Sequence, residues 1–200
     1  MKRIAIFVPL GLLMACGQGG PSYLPLVDEK EWSYIEKSSF QDNVVNLKVG
    51  NKISVGGVEG RVLNSELGEC RMAWDGKKLI ASMLSNTVFI PPIPLLLEDK
   101  IPEKKKDRDA EFVTADVWSG SFESLGKVRK AKATLGQRRG TLQMASGEVS
   151  VVETVLKVEI DGVKDDVPLE LRTWFERGKG IVRQEQRTNR MLIVGLEFLK

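Results

Sequence analysis

Val151-Val152-Glu153-Thr154-Val155-Leu156-Lys157-Val158-Glu159-Ile160 has the clearest periodicity in the chain. Val152, Thr154, Leu156, Val158 and Ile160 fall on one side of an extended segment, and Glu153, Lys157 and Glu159 on the other. Successive side chains alternate across a strand, so an apolar set at every second position reads as a strand with one buried face. Asp161-Gly162 follows, a dipeptide that suits a two-residue hairpin turn. Beyond it Leu169, Leu171, Thr173 and Phe175 oppose Glu170, Arg172 and Glu176. Gly178-Lys179-Gly180 then turns, Ile181 to Arg187 returns as a strongly charged strand, and Met191 to Leu199 closes the chain. Gly178 and Gly180 read as structural turn glycines that permit positive φ. They do not form a phosphate loop, because no helical pattern follows them.

Working towards the N-terminus, the same two-residue period recurs. Val128 to Leu135 and Thr141 to Ala145 read as strands, with turns expected at Arg138-Arg139-Gly140 and Ser146-Gly147. Phe112 to Trp118 is another strand, ended by an expected turn at Ser119-Gly120. Further back, Val45, Leu47 and Val49 alternate with polar residues, and Cys70, Met72 and Trp74 share one side of a strand before the hairpin dipeptide Asp75-Gly76. Pro91, Pro92 and Pro94 speak against a central strand or a helix over Ile90 to Leu97, since proline cannot donate to a ladder. The count is ten to twelve short strands at hairpin spacing. The expected class is all-β, with antiparallel meander sheets forming a curved sheet, a sandwich or an open half-barrel. Arg71 to Ile80 and Arg172 to Val182 rhyme, each an Arg, a Trp, a tight turn with Gly and Lys, then aliphatic residues. An internal duplication is one reading of that rhyme, and chance similarity of strand–turn–strand units is the other.

Composition narrows the function classes. The chain has 200 residues, 42% hydrophobic and 28% charged, as in a globular protein. Its formal charge of +3 includes Lys2 and Arg3, and falls to +1 without them. That offers no electrostatic case for nucleic acid. There is no histidine, which removes the commonest general base and the commonest metal ligand. Asp161, Asp165 and Asp166 lack the Asp-x-Asp-x-Asp spacing and terminal Glu of a calcium loop. No Gly-x-Ser-x-Gly is present, nor a Ser-x-x-Lys with its supporting motifs. No enzyme, metal or cofactor is expected.

The N-terminus points to the cell envelope. Lys2 and Arg3 precede Ile4 to Met14, an uncharged apolar run too short to span a bilayer, and Ala15 stands before Cys16. A positive start, a short apolar core and a small residue at the cut make a secretory signal. Leu13-Met14-Ala15-Cys16 resembles the lipobox of bacterial lipoproteins. That resemblance implies lipidation of Cys16, cleavage before it and acylation, palmitate included, of the new amino group. Residues 1–15 are then a signal peptide and 16–22 a small, flexible lipidated tether. The first β-meander lobe is expected over 23–97, a charged linker over 98–111, and a second lobe over 112–200. Gly17 is not the aspartate that retains lipoproteins at the inner membrane of enteric bacteria, which favours the outer membrane, facing the periplasm. With Cys16 lipidated, Cys70 has no partner in the chain and reads as a buried, inert thiol.

A second resemblance rests on Tyr23-Leu24-Pro25-Leu26 with Trp32 and Tyr34, and on Trp174-Phe175 with Gly178-Lys179-Gly180-Ile181-Val182-Arg183 and Glu185. These motifs are similar to the opening and closing motifs of uncharacterised β-rich envelope lipoproteins. The resemblance implies twisted sheets related to the half-barrels that carry lipoproteins or lipids. Two functions are therefore expected. One is a non-enzymatic, membrane-anchored binding or scaffold module, for which Arg172, Arg183, Glu185 and Arg187 are a candidate face towards an anionic lipid or another envelope protein. On the alternative reading, those residues are cross-strand pairs that only keep a sheet soluble. The second function is a carrier or chaperone of lipid or lipoprotein acyl chains, edged by Ile90 to Leu97. An apolar pocket of several hundred Å³ would favour the carrier, and a filled core the scaffold.

Overall fold

The structure, a computed structural model, describes residues 22–37, 42–103, 109–162, 169–188 and 191–199. The signal peptide, Cys16 and all of the tether but Ser22 lie outside the described residues, as do 104–108 of the charged stretch and Asp165 and Asp166. Twelve strands are present: β1 (Glu31–Lys37), β2 (Asp42–Val55), β3 (Val58–Ser65), β4 (Gly68–Asp75), β5 (Lys78–Leu84), β6 (Thr87–Leu97), β7 (Val113–Ser124), β8 (Lys127–Met144), β9 (Gly147–Ile160), β10 (Leu169–Glu176), β11 (Gly180–Thr188) and β12 (Met191–Phe198). A single 3₁₀ turn, Glu98–Lys100, is the only helical element among the described residues.

The all-β, antiparallel reading holds, but the sheet closes. Each strand pairs with the next in chain order, and β1 also pairs with β12 through Tyr34 opposite Phe198 and Lys37 opposite Gly195. The molecule is therefore a closed barrel, neither a sandwich nor an open half-barrel. Closure pairs the ladder edges that a curved sheet would leave free. β1 to β6 precede Glu98 and β7 to β12 follow Glu111, so the two expected lobes each supply half of one ring.

The inside of the ring is lined by the predicted apolar sets. Val152, Leu156 and Val158 of β9, Phe175 of β10, Val49 of β2 and Met72 of β4 are all buried in one cluster. In register, Leu156 stands between Leu135 of β8 and Leu171 of β10, so neighbouring strands aim the same face inward. The largest fully buried side chains are Trp32 and Tyr34. Burial pushes the Tyr34 phenol well above its usual range, and its hydroxyl donates to the Ile181 carbonyl at 3.0 Å.

Three local expectations are corrected. Ser119-Gly120 and Arg138-Arg139-Gly140 are not turns: β7 and β8 run straight through them. Their glycines serve close packing instead. A β-carbon on Gly120 would lie 2.4 Å from the Ile90 carbonyl and 2.5 Å from the Trp118 ring, and one on Gly140 would lie 3.0 Å from the Asp109 carboxylate. The prolines, in turn, sit inside β6. Its ladder to β7 covers only Val88 to Ile90, so from Pro91 onward the missing donors face no β7 partner. The rhymed Trp74 and Trp174 face opposite sides of the barrel. Trp74 Nε1 donates inward to Leu24 O, whereas Trp174 lies outside beneath the Arg183 guanidinium.

Candidate functional site: an apolar lumen

A ring of about eight strands is just wide enough for side chains to fill. Twelve strands enclose more, and this barrel fills its lumen only at one end. That end carries the β4–β5 and β10–β11 turns and is crossed by the N-terminal segment. The Gly178 amide donates to Ser22 O at 2.8 Å, Trp74 Nε1 donates to Leu24 O at 2.9 Å, and Arg177 stacks 4.5 Å from the Tyr23 ring. Leu24 is fully buried. Trp32 Nε1 donates to Lys179 O at 2.6 Å. The Tyr-Leu-Pro-Leu opening and the Gly-Lys-Gly hairpin, 150 residues apart in sequence, therefore meet as the stopper of the barrel. Gly178 has φ 79° and Gly180 φ 115° in this hairpin.

Towards the other end the lumen holds an apolar cavity of about 340 Å³. Tyr34, Met72 and Ile181 lie deepest, and Leu47, Leu156, Leu171 and Leu196 form its middle wall. It reaches the β3–β4 and β5–β6 turns, which contribute Ser65, Leu67 and Ser85, with Thr87 and Leu169 beside them. The lining is apolar apart from hydroxyls and the amides of Gln184 and Gln186. Among the described residues, no group of acidic, cysteine or histidine side chains could hold a metal ion.

Cys70 lines this cavity. Burial pushes its thiol pKa up, and the Ser85 amide donates to its sulfur at 3.3 Å. The aliphatic stretch Ile90 to Leu97 does not edge the cavity. Ile93, Leu95, Leu96 and Leu97 are buried in the filled part of the core, and of β6 only Thr87 and Phe89 line the cavity. Gln137 clamps the end of that strand by accepting from the Leu97 amide and donating to its carbonyl.

The charged candidate face lies on the outside. Arg172 stands opposite Glu185 across β10 and β11. Glu185 is only 4% exposed. Arg183 reaches its Oε1 at 2.6 Å, and Arg187 its Oε2 at 2.6 Å. Burial raises the Glu185 pKa, but the hydrogen bonds and charges of the two arginines more than offset it and leave the carboxyl below its usual value. Arg172 pairs with Glu170 and lies 3.6 Å from Glu153, which Arg138 holds at 2.6 Å. These residues are brought together as closed ion pairs, separated from the lumen by the sheet itself. The carrier reading anticipates an apolar cleft, but the residues that line this lumen are not legible as a set in the sequence. Each wall residue is visible as one apolar position in an alternating strand, but nothing local says that ten strands turn theirs to one space.

The chain matches no protein-family model and no curated protein sequence. Among solved structures it is similar to a candidate lipoprotein from Parabacteroides distasonis ATCC 8503, with a TM-score of 0.53 and 11% identity over 90% of this chain and 98% of that one. It is likewise similar to a candidate exported protein with a YmcC-like fold from Bacteroides fragilis NCTC 9343, with a TM-score of 0.53 and 11% identity over 89% of this chain and 97% of that one. What these likenesses establish is the fold, an all-β antiparallel architecture shared along nearly the whole chain.

Proposed function

We infer that this chain is a lipid-anchored, non-enzymatic envelope protein whose lumen carries a single apolar chain of an acyl lipid or lipoprotein. The observation that carries this reading is the cavity of about 340 Å³. Its size lies within the ~300–1,000 Å³ typical of ligand sites. At ~30 Å³ per heavy atom, the liquid volume of a water, it holds roughly ten such atoms. Its walls offer apolar contact with few polar groups, which suits a hydrocarbon and gives an enzyme little to work with. The lipobox ending at Cys16 supports export and lipidation, and an envelope setting fits the two structures of the same fold, a candidate lipoprotein and a candidate exported protein. Gly17 after the cysteine favours the outer membrane.

The reading also orients the molecule. Ser22 sits at the stoppered end, and five residues separate it from Cys16, so that the six steps between them span at most about 20 Å when extended. A lipid on Cys16 thus tethers the filled end and leaves the cavity's mouth at the remote one.

Chain length supplies the test. Each buried methylene contributes ~0.8 kcal/mol, roughly fourfold in affinity. Binding of saturated fatty acids to the chain from Gly17 onward should tighten by about that factor per methylene and level off at roughly ten carbons. Leu171→Trp, which fills the middle of the cavity, should abolish binding while the fold survives. Affinity independent of chain length, or unchanged in Leu171→Trp, refutes the lumen as the site.

A further inference from the structure

The hairpin between β7 and β8 is built unlike the rest of the surface. We propose that its tip docks the mouth of the barrel onto an anionic phospholipid bilayer facing the one that holds the Cys16 anchor. Leu125 and Gly126 form the turn with φ 51° and 71°, the conformation of a type I′ turn that Asn and Gly favour. Leu125 is 97% exposed. It adds no burial to the fold and holds a backbone geometry that a β-carbon disfavours. Val128 beside it is 68% exposed. A strained, fully exposed leucine is explained by something apolar outside the molecule.

Charge says what that is. Lys127, Arg129, Lys130 and Lys132 are all exposed, and none lies within 4.0 Å of a described carboxylate. Lys127 stands opposite Ser124 and Arg129 opposite Phe122, on the face that carries Ala131 and Ala133 into the lumen. Lys130 and Lys132 alternate to the outer face. Against these four stand Glu123 on the hairpin, Glu159 opposite Lys132, and Asp161, whose amide meets Lys130 O. An apolar point ringed by cations on both faces fits the boundary between headgroups and acyl chains, and each cation near an anionic surface adds to the attraction. A protein partner would need a shaped, packed pocket around its anchor, whereas this two-stranded finger offers only a point.

Position joins the tip to the cavity. Ser124 Oγ lies 3.5 Å from Thr87 Oγ1, and Phe122 packs against Phe89, with ring centroids 6.3 Å apart. Thr87 and Phe89 both line the cavity. The contact with the bilayer does not require an occupied lumen, so it can be tested apart from lipid carriage.

The experiment is vesicle flotation with the chain from Gly17 onward, which contains every strand of the barrel and no acyl group. The protein should float with phosphatidylcholine vesicles that contain phosphatidylglycerol, should not float with phosphatidylcholine alone, and should be released by added salt. Leu125→Asn should weaken binding about tenfold while the melting temperature stays level or rises, because Asn tolerates positive φ. Lys127→Gln with Lys130→Gln, two surface changes away from the core, should weaken it roughly fivefold per charge. Equal flotation with neutral and anionic vesicles, flotation with neither, or parental binding by both variants overturns the proposal.

Discussion

Gly180→Ala should destabilise this barrel by about 3–5 kcal/mol, far more than a surface glycine normally would. The residue has φ 115°, a region used almost only by glycine, and a side chain there costs ~1–3 kcal/mol in strain. The new β-carbon would also stand 2.8 Å from Trp32 Nε1, 3.2 Å from its Cε2 and 3.3 Å from its Cζ2. That indole cannot retreat cheaply. It is 1% exposed and its nitrogen donates to Lys179 O at 2.6 Å, so a shift overpacks the core at ~1–3 kcal/mol and weakens a part-buried hydrogen bond. Gly178→Ala is the control. Its φ of 79° predicts a cost of ~1 kcal/mol from backbone strain. Urea denaturation of the chain from Gly17 onward, followed by tryptophan fluorescence, measures both, with the loss read from the midpoint at constant m. A Gly180→Ala loss below about 1 kcal/mol, or one equal to that of Gly178→Ala, would refute the stopper packing of Trp32 against this turn.

Cys70 reports on the lumen: alkylation by maleimide should be slow at neutral pH, because burial raises its pKa, and bound decanoate should slow it further; rapid alkylation unaffected by fatty acid would place ligand elsewhere. Glu185 ties stability to acid. Its carboxyl titrates lower in the fold than its ordinary 4.5, so its contribution is fully present above that value and is lost as pH falls through the folded pKa. Glu185→Gln should therefore flatten stability against pH below 4.5, as the urea midpoint against pH would reveal, and an unchanged acid slope would count against the arginine pairing. Arg183→Ala alone should cost only ~0–1 kcal/mol, being part-exposed and leaving Arg187 in place. At the anchor, Cys16→Ser should leave the protein unprocessed or free of the membrane fraction, and a variant still cleaved and still sedimenting with membranes would exclude a lipid at that cysteine.

Which residues point inward was legible in the sequence, because it depends only on a period of two. Val152 to Ile160, Leu169 to Phe175 and Val45 to Val49 each declare a buried face wherever their strands end up. The turn dipeptide Asp75-Gly76 was equally local, since positive φ selects its residues without regard to the rest of the chain, whereas Asp161-Gly162 ends β9 but β10 begins only at Leu169. Gly120 and Gly140 misled for the same reason: glycine also serves close approach, and only the neighbouring strand shows which use applies. Prolines 91, 92 and 94 misled because a ladder on one side alone tolerates them, and the extent of the β6–β7 pairing is not a property of β6. Closure belongs to the tertiary structure. The pairing of Tyr34 with Phe198 is the sum of twist and register over twelve strands, and no segment encodes it alone. The same holds for the stopper that joins Ser22 to Gly178 and for the cavity beneath it, since a lumen is what remains when a ring is too wide for its own side chains.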